Sequence, residues 1–206
     1  MNSRRFLAKS AYRLLFLTAA VAWQLAAVPL FAEPNPDVQA VVSRMRSLGG
    51  FKASISISSG GGGALRGNLS YSNGKVHLAL SDGRVIAATG RELVVYNPSS
   101  SVAGKQLMVP GGGGLGWLLT GFKTKVSGNT ALLESENPSS NIQEVRLKWG
   151  AEHTLEQLSI RHKSSGDWTT ITLSNLRKVD AFPVSLFSYD APAGSRTVEN
   201  PLNQSN

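Results

Sequence analysis

The fold is decided by a stretch in which apolar and polar residues alternate, FKASISISSGGGGALRGNLSYSNGKVHLAL (51–80). From Phe51 to Ile57 every second residue is apolar, and the residues between are Lys or Ser. This two-residue period is typical of a β-strand with one buried face. It returns at 65–71 and 75–80, and Asn73-Gly74 between those runs is a hairpin signal. The stretch therefore predicts a meander of antiparallel strands.

Further short strands are predicted downstream, separated by turn residues. They cover 84–89, 92–96, 102–109, 125–135 (with a turn at 128–129), 145–149, 155–160, 168–173 and 182–189. Upstream, Asn35-Pro36-Asp37 has the composition of a helix start, and apolar residues follow at helical spacing until Gly49-Gly50. This predicts an amphipathic helix over Pro36–Leu48 that lies on the sheet.

The fold class that follows is mainly β (α+β), a single strongly curved antiparallel sheet that must be covered by helices or fold into a barrel. Only Pro36–Leu48 and Leu115–Leu119 are helical candidates. These two short helices are too small to cover the aliphatic face of about ten strands. Either the sheet packs onto itself, or part of its inner face is available to an apolar ligand.

The N-terminus predicts export. Residues 1–32 combine a basic start (Arg4, Arg5, Lys9 and Arg13), an apolar run over 14–28 and a plausible cleavage point after Ala32. The alternative is an uncleaved membrane anchor. Cleavage removes four of 21 basic residues and no acidic one, which halves the net charge from +8 to +4 and makes nucleic acid an unexpected partner. Residues 33–198 are predicted to form one domain and 199–206 a flexible tail.

Catalysis is not expected. The sequence has no Cys, no HExxH and no GxSxG. His77, His153 and His162 are predicted to be solvated surface residues, and no metal site or cofactor is predicted.

The glycine run 111–114 precedes an apolar segment with Leu115, which indicates either a movable lid or an ordinary loop leading into a buried helix. The basic residues around 161–163 indicate a solvated face or, alternatively, a docking stripe.

The order of elements resembles the LolA family of periplasmic carriers of outer-membrane lipoproteins. The similarity covers most of 36–198, and it is carried by the residues Leu48-Gly49-Gly50-Phe51-Lys52-Ala53-Ser54, Gly67-Asn68-Leu69-Ser70-Tyr71, Ser81-Asp82-Gly83, Gly90-Arg91-Glu92-Leu93-Val94-Val95-Tyr96-Asn97-Pro98, Phe182-Pro183-Val184-Ser185-Leu186-Phe187 and Ala191-Pro192-Ala193-Gly194. The family's Arg-Pro pair after the second strand is missing, since Ser72-Asn73-Gly74-Lys75 stands there.

The resemblance implies an incomplete antiparallel β-barrel lidded by short helices, which encloses an apolar cavity for lipoprotein acyl chains. It also implies a periplasmic protein that acts as a monomer without enzymatic activity. It implies two partners, an inner-membrane ABC lipoprotein-releasing complex and an outer-membrane acceptor. The alternative is an acyl- or lipoprotein-binding acceptor, or an envelope-stress sensor, of the same fold.

The expected lid consists of Leu115, Trp117, Leu118 and Leu119, and Leu118→Glu is expected to weaken binding of an acyl probe and leave the fold intact. The expected cavity walls are the inner-face residues Ile55, Ile57, Leu69, Leu78, Leu80, Val95, Leu147, Trp149, Leu158, Ile160, Ile171 and Leu173.

Overall fold

The computed structural model describes residues 34–60, 63–108 and 115–199. The predicted signal segment 1–32 lies outside these residues, and so does the predicted tail 199–206 apart from Glu199, which is in a strand. The helix α1 spans Pro36–Ser47. The strands are β1 (Gly50–Ser59), β2 (Leu65–Ser72), β3 (Lys75–Leu80), β4 (Val85–Ala88), β5 (Glu92–Asn97), β6 (Val102–Leu107), β7 (Phe122–Ser127), β8 (Thr130–Ser135), β9 (Ile142–Trp149), β10 (Leu155–His162), β11 (Trp168–Lys178) and β12 (Arg196–Glu199). Three short 3₁₀ helices span Gly116–Leu119, Ala151–His153 and Val184–Phe187.

The helix α1 forms where the sequence predicts it. The side-chain oxygen of Asn35 accepts hydrogen bonds from the backbone N–H groups of Asp37 (3.0 Å) and Val38 (3.4 Å). Such a cap contributes about 1 kcal/mol to helix stability. The apolar stripe that includes Val41 and Met45 is buried against the sheet, so the helix covers part of one face.

All twelve strands form a single curved sheet that does not close, which confirms the predicted incomplete barrel. Their order is β12-β6-β5-β4-β3-β2-β1-β11-β10-β9-β8-β7. Every neighbouring pair is antiparallel except β12 and β6, which are parallel. The edges of the described sheet are β12 and β7.

The two faces of the sheet differ as the alternation predicts. Phe51, Ala53, Ile55 and Ile57 of β1 point to one side, which we call the inner face, and Lys52 and its alternating serines point to the outer face. Because directly paired residues of neighbouring strands lie on the same face, the register of each strand pair carries this division across the sheet.

The inner face carries two hydrophobic clusters. The first, the covered cluster, joins α1 and the segment around Trp117 to β8, β9, β10 and the start of β1. The second, the open-side cluster, lies on β3, β4 and β5, with the far part of β1 and Met108. The core therefore divides into two halves on either side of the middle strands β2, β1 and β11.

The segment after β11 differs from the sequence prediction. A strand was expected over 182–189, but these residues form the 3₁₀ helix Val184–Phe187 with extended chain on both sides. Phe187 is buried, and Tyr189 contacts Tyr96 of the outer face with 5.7 Å between ring centroids. Because β1 is already paired on both sides, by β2 and β11, the segment after β11 has no place beside it in the sheet. The segment instead lies on the outer face and joins the sheet as β12, beside β6.

Candidate functional site

A strip of half-buried apolar side chains runs along the inner face between the two clusters. We call it the inner strip. It lies on β2, β3 and β11, and its members are Leu65, Leu69, Tyr71, Val76, Ile171, Leu173 and Leu176. Each packs against at least one cluster and retains part of its surface exposed. Partial exposure of several large apolar side chains on one face is typical of a binding surface.

The structure places all twelve residues expected to line a cavity on the inner face, in three groups. The open-side cluster contains Ile55, Ile57, Leu78, Leu80 and Val95, and all five are buried. The covered cluster contains Leu147, Trp149, Leu158 and Ile160, which are also buried. Leu69, Ile171 and Leu173 belong to the inner strip, so these three are the accessible members of the predicted set.

Four strip residues were not among the predicted cavity residues. Leu65, Tyr71 and Val76 follow the same alternation as their neighbours and could have been chosen from the sequence. Leu176 could not, because Asn175 has a positive φ of 53° and the register with β1 shifts there. This bulge changes the phase of the alternation, so the residue after it points inward.

The predicted lid residues lie in the link between β6 and β7. Because β6 is next to one edge of the sheet and β7 forms the other, this link joins the two sides of the unclosed sheet. The glycine run 111–114 lies outside the described residues. The apolar part forms the 3₁₀ helix Gly116–Leu119, in which Trp117 and Leu118 are buried.

Contacts of this segment are with the covered half of the fold. The Trp117 ring lies 5.8 Å from that of Phe122, and a Cβ on Gly116 would lie 3.7 Å from Nη2 of Arg46 at the end of α1. Leu115 and Leu119 are half-buried against the same cluster. We call residues 115–119 the apolar flap.

The expectation that His162 is a solvated surface residue is wrong. Its side chain follows Leu158 and Ile160 on the inner face of β10 and is 4% exposed. Neither ring nitrogen has a hydrogen-bond partner among the described residues. Burial lowers the pKa of His162 below its usual value, so the ring is neutral at pH 7. The wrong prediction arose because His162 lies between two charged residues, Arg161 and Lys163, which suggested an exposed position.

The other two histidines differ from each other. His77 is half-buried on the outer face of β3, and burial lowers its pKa as well. His153 lies at the surface, where its Nε2 is 3.5 Å from a carboxylate oxygen of Asp37 and its ring stacks on Trp149. These contacts tie the 3₁₀ helix Ala151–His153 to the start of α1. Arg44 reinforces this link through a salt bridge of 2.5 Å to Glu152.

A separate polar groove of about 570 Å³ lies on the outer face of β1, β2, β3 and β11. Hydroxyl and amide side chains and the exposed Arg66 line it, together with the backbone beside Gly67. It lies on the opposite side of the sheet from the inner strip. Ile55, Ala79 and Leu80 also border it.

The basic residues on the outer face of β9 and β10 are largely paired. Arg161 binds Glu144 at 3.0 Å and also donates to the carbonyl of Gly166. The guanidinium of Arg146 lies over the Trp168 ring, 4.1 Å from its centroid. Lys163 donates to the carbonyl of Pro138 at 2.8 Å. These contacts pair much of the basic charge of this face within the protein.

The described residues also bear on metal binding and on membrane spans. No group of three or more His, Asp or Glu side chains in the described part of the chain could hold a metal ion. Among the helices of the same residues, none combines the length and the hydropathy that a membrane span requires.

No family model matches the sequence, and no curated protein matches it. Solved structures do match the fold. An uncharacterized conserved protein from Thermus thermophilus is 9% identical, with 78% of this chain and 98% of that chain covered and a TM-score of 0.53. A LolA superfamily protein from Nitrosomonas europaea is 12% identical, with 74% and 97% covered and a TM-score of 0.40. The lipoprotein LppX from Mycobacterium tuberculosis is 11% identical, with 72% and 96% covered and a TM-score of 0.40. LolA superfamily proteins are thus among the structures that match, and at these identities the likeness concerns the fold alone.

Proposed function

We propose that this protein is a periplasmic carrier that shields the acyl chains of lipoproteins and moves them from the inner to the outer membrane. One observation carries the proposal. The inner face of an unclosed sheet has a band of accessible apolar side chains, the inner strip, between two halves that are already packed. A monomeric globular protein has no structural need to leave such a band partly exposed.

The energetics of acyl chains match such a strip. Each buried methylene stabilises the bound state by about 0.8 kcal/mol, so a long chain gains on the order of 10 kcal/mol from leaving water. The strip supplies aliphatic contacts along three strands, and Tyr71 stacks on Phe51 at one end with 5.1 Å between the rings. No ionised group belongs to the strip. The ligand that fits is therefore a hydrocarbon chain and not a charged metabolite.

Release of the ligand is favoured if a part of the protein can cover the inner strip in place of the ligand. The apolar flap is anchored in the covered cluster by Trp117 and Leu118, and its half-buried Leu115 and Leu119 supply apolar surface of their own. If the flap competes with the acyl chain for the inner strip, closure helps to expel the cargo. A carrier that binds through a weak, competing contact can both protect and deliver.

The proposed role is not enzymatic, and its partners follow from the route. The signal segment 1–32 would deliver the chain to the periplasm. An inner-membrane ABC lipoprotein-releasing complex would load the cargo, and an outer-membrane acceptor would receive it. An acceptor or an envelope-stress sensor that retains the lipid instead of passing it on is the alternative.

The test is to recover the exported protein from the periplasm and examine it by native mass spectrometry. The carrier and the alternative both predict co-purified diacylated or triacylated lipid, or lipoprotein. The two differ in a transfer assay in which loaded protein is mixed with outer-membrane vesicles. A carrier releases labelled lipoprotein to the vesicles, and a sensor keeps it. Protein that neither co-purifies with lipid nor binds a fluorescent apolar probe would exclude both.

A further inference from the structure

The inner strip ends in a small polar region. Thr169 lies two residues beyond Ile171 on β11, pairs with Ile160 of β10 and with Ser59 of β1, and donates its hydroxyl to Ser59 at 3.4 Å. His162 lies two residues beyond Ile160 on the same face. Thr169 and His162 are 3% and 4% exposed. Polar side chains thus lie together at one end of a face that is otherwise aliphatic.

The imidazole of His162 is the least satisfied group in this region. Both of its ring nitrogens are buried and without a hydrogen-bond partner among the described residues. A neutral imidazole offers one donor and one acceptor, so both capacities remain unused. Buried polar groups of folded proteins are almost always hydrogen-bonded, and one that is not calls for an explanation.

The apolar flap brings a second such group to this half of the protein. The indole N–H of Trp117 is buried and has no partner among the described residues. Trp117 belongs to the covered cluster together with Ile142 and Ile160. Those two residues flank His162, because Ile142 pairs with it across β9 and Ile160 precedes it on β10. An indole N–H can only donate, so it requires an acceptor.

We propose that this polar end binds the ester carbonyl of the acyl ligand, with the hydrocarbon chain lying along the inner strip and the N–H groups of His162 and Trp117 as donors. The inference rests on the proposed function, and it adds which end of the ligand lies where. An ester carbonyl is a neutral acceptor that can be buried when it receives hydrogen bonds.

A neutral ester fits better than a free carboxylate. A buried carboxylate needs a cation, and Arg84 of the β3–β4 turn, which is the buried cation of the described residues, is already paired with Asp82. His162 is itself kept neutral, because burial lowers its pKa. The polar end therefore offers hydrogen bonds without net charge.

The experiment compares two ligands that differ only in the ester. Methyl dodecanoate and tetradecane have the same number of chain atoms, and each is titrated against a bound neutral fluorescent probe, N-phenyl-1-naphthylamine. In the natural protein the ratio of the two dissociation constants, ester to alkane, serves as the reference, because the alkane gains more from leaving water and the ester gains the hydrogen bonds. In His162→Leu and in Trp117→Phe the ester should weaken relative to the alkane by about three- to tenfold, the effect of one hydrogen bond, and tetradecane should still bind.

The matched control is His77→Leu, which removes a half-buried histidine from the outer face and should leave the ratio unchanged. Using both a β10 variant and a flap variant keeps the test valid if one of them does not fold, which circular dichroism reports. If neither ligand displaces the probe, the proposed function is wrong. If the ratio of the two dissociation constants is unchanged in the folded variants, the acyl site stands and the ester site is wrong.

Discussion

Leu69 and Leu173 lie on the two strands that flank β1, and each packs against both hydrophobic clusters. Leu69 is paired with Ala53 and Leu173 with Ile55, so the two leucines face inward on either side of the same strand. They are half-buried, whereas Ala53 and Ile55 between them are fully buried. The accessible surface therefore runs along the two flanking strands, where a ligand would contact both halves of the core.

Leu173→Asn should weaken binding of a fluorescent fatty acid about tenfold, because it replaces aliphatic contact in the inner strip with an amide that must be desolvated. Titration by fluorescence measures the dissociation constant. Thr172→Asn is the matched control, since Thr172 is the preceding residue of β11 and points to the outer groove. Equal effects of the two substitutions would show that the ligand does not lie on the inner face.

Leu118→Ala should lower the free energy of unfolding by about 2–5 kcal/mol, as expected for a leucine in a packed core. Leu118 is 2% exposed within the covered cluster, so the structure does not support the expectation that Leu118→Glu leaves the fold intact. Urea denaturation measures the loss. Leu119→Ala is the control within the same flap, and its half-buried side chain should cost less. A Leu118 variant as stable as the natural protein would mean that the flap is not packed as described.

Gly67→Ala should destabilise the fold by about 1–3 kcal/mol, because the pairing of β2 with β3 leaves no room for a side chain there. A Cβ at this position would lie 2.5 Å from the carbonyl oxygen of Ala79 and 2.9 Å from Cδ2 of Leu80. Gly63→Ala is the control, since a Cβ there meets nothing within 4 Å. Thermal unfolding of both variants checks this, and equal melting temperatures would contradict the register of β2 and β3.

Stability should decline as the pH falls below the usual histidine pKa of 6.5. Burial lowers the pKa of His162 and of His77 in the folded state, so below this pH the unfolded chain binds more protons than the folded one. Each histidine adds at most about 1.4 kcal/mol per pH unit to the slope of the free energy of unfolding against pH, and this slope falls to zero above the pKa of the unfolded chain. Urea unfolding at a series of pH values measures the slope.

His162→Gln and His77→Gln should each reduce that slope, since glutamine does not titrate. The double variant should be nearly independent of pH in the window just below 6.5, before the carboxylates begin to bind protons. A slope that persists in the double variant would place its origin in other groups.

The sequence determined which residues of the regular strands face inward. A strand places alternate side chains on opposite faces whatever surrounds it, so the period from Phe51 onward was enough to predict the strands and their inner face. The helix α1 was equally readable, because its cap and its apolar stripe are local.

Only the tertiary structure decided which inward residues are buried and which are accessible. Ile55 and Leu69 are both aliphatic and in phase, yet Ile55 is covered and Leu69 is partly open. The difference depends on where α1 and the apolar flap come to lie, and their contacts are between residues far apart in the chain. The bulge at Asn175, the burial of His162 between two basic neighbours and the passage of residues after β11 across the outer face have the same origin. Each depends on which strand edges and surfaces are still free when the chain packs, and this cannot be read from a local pattern of residues.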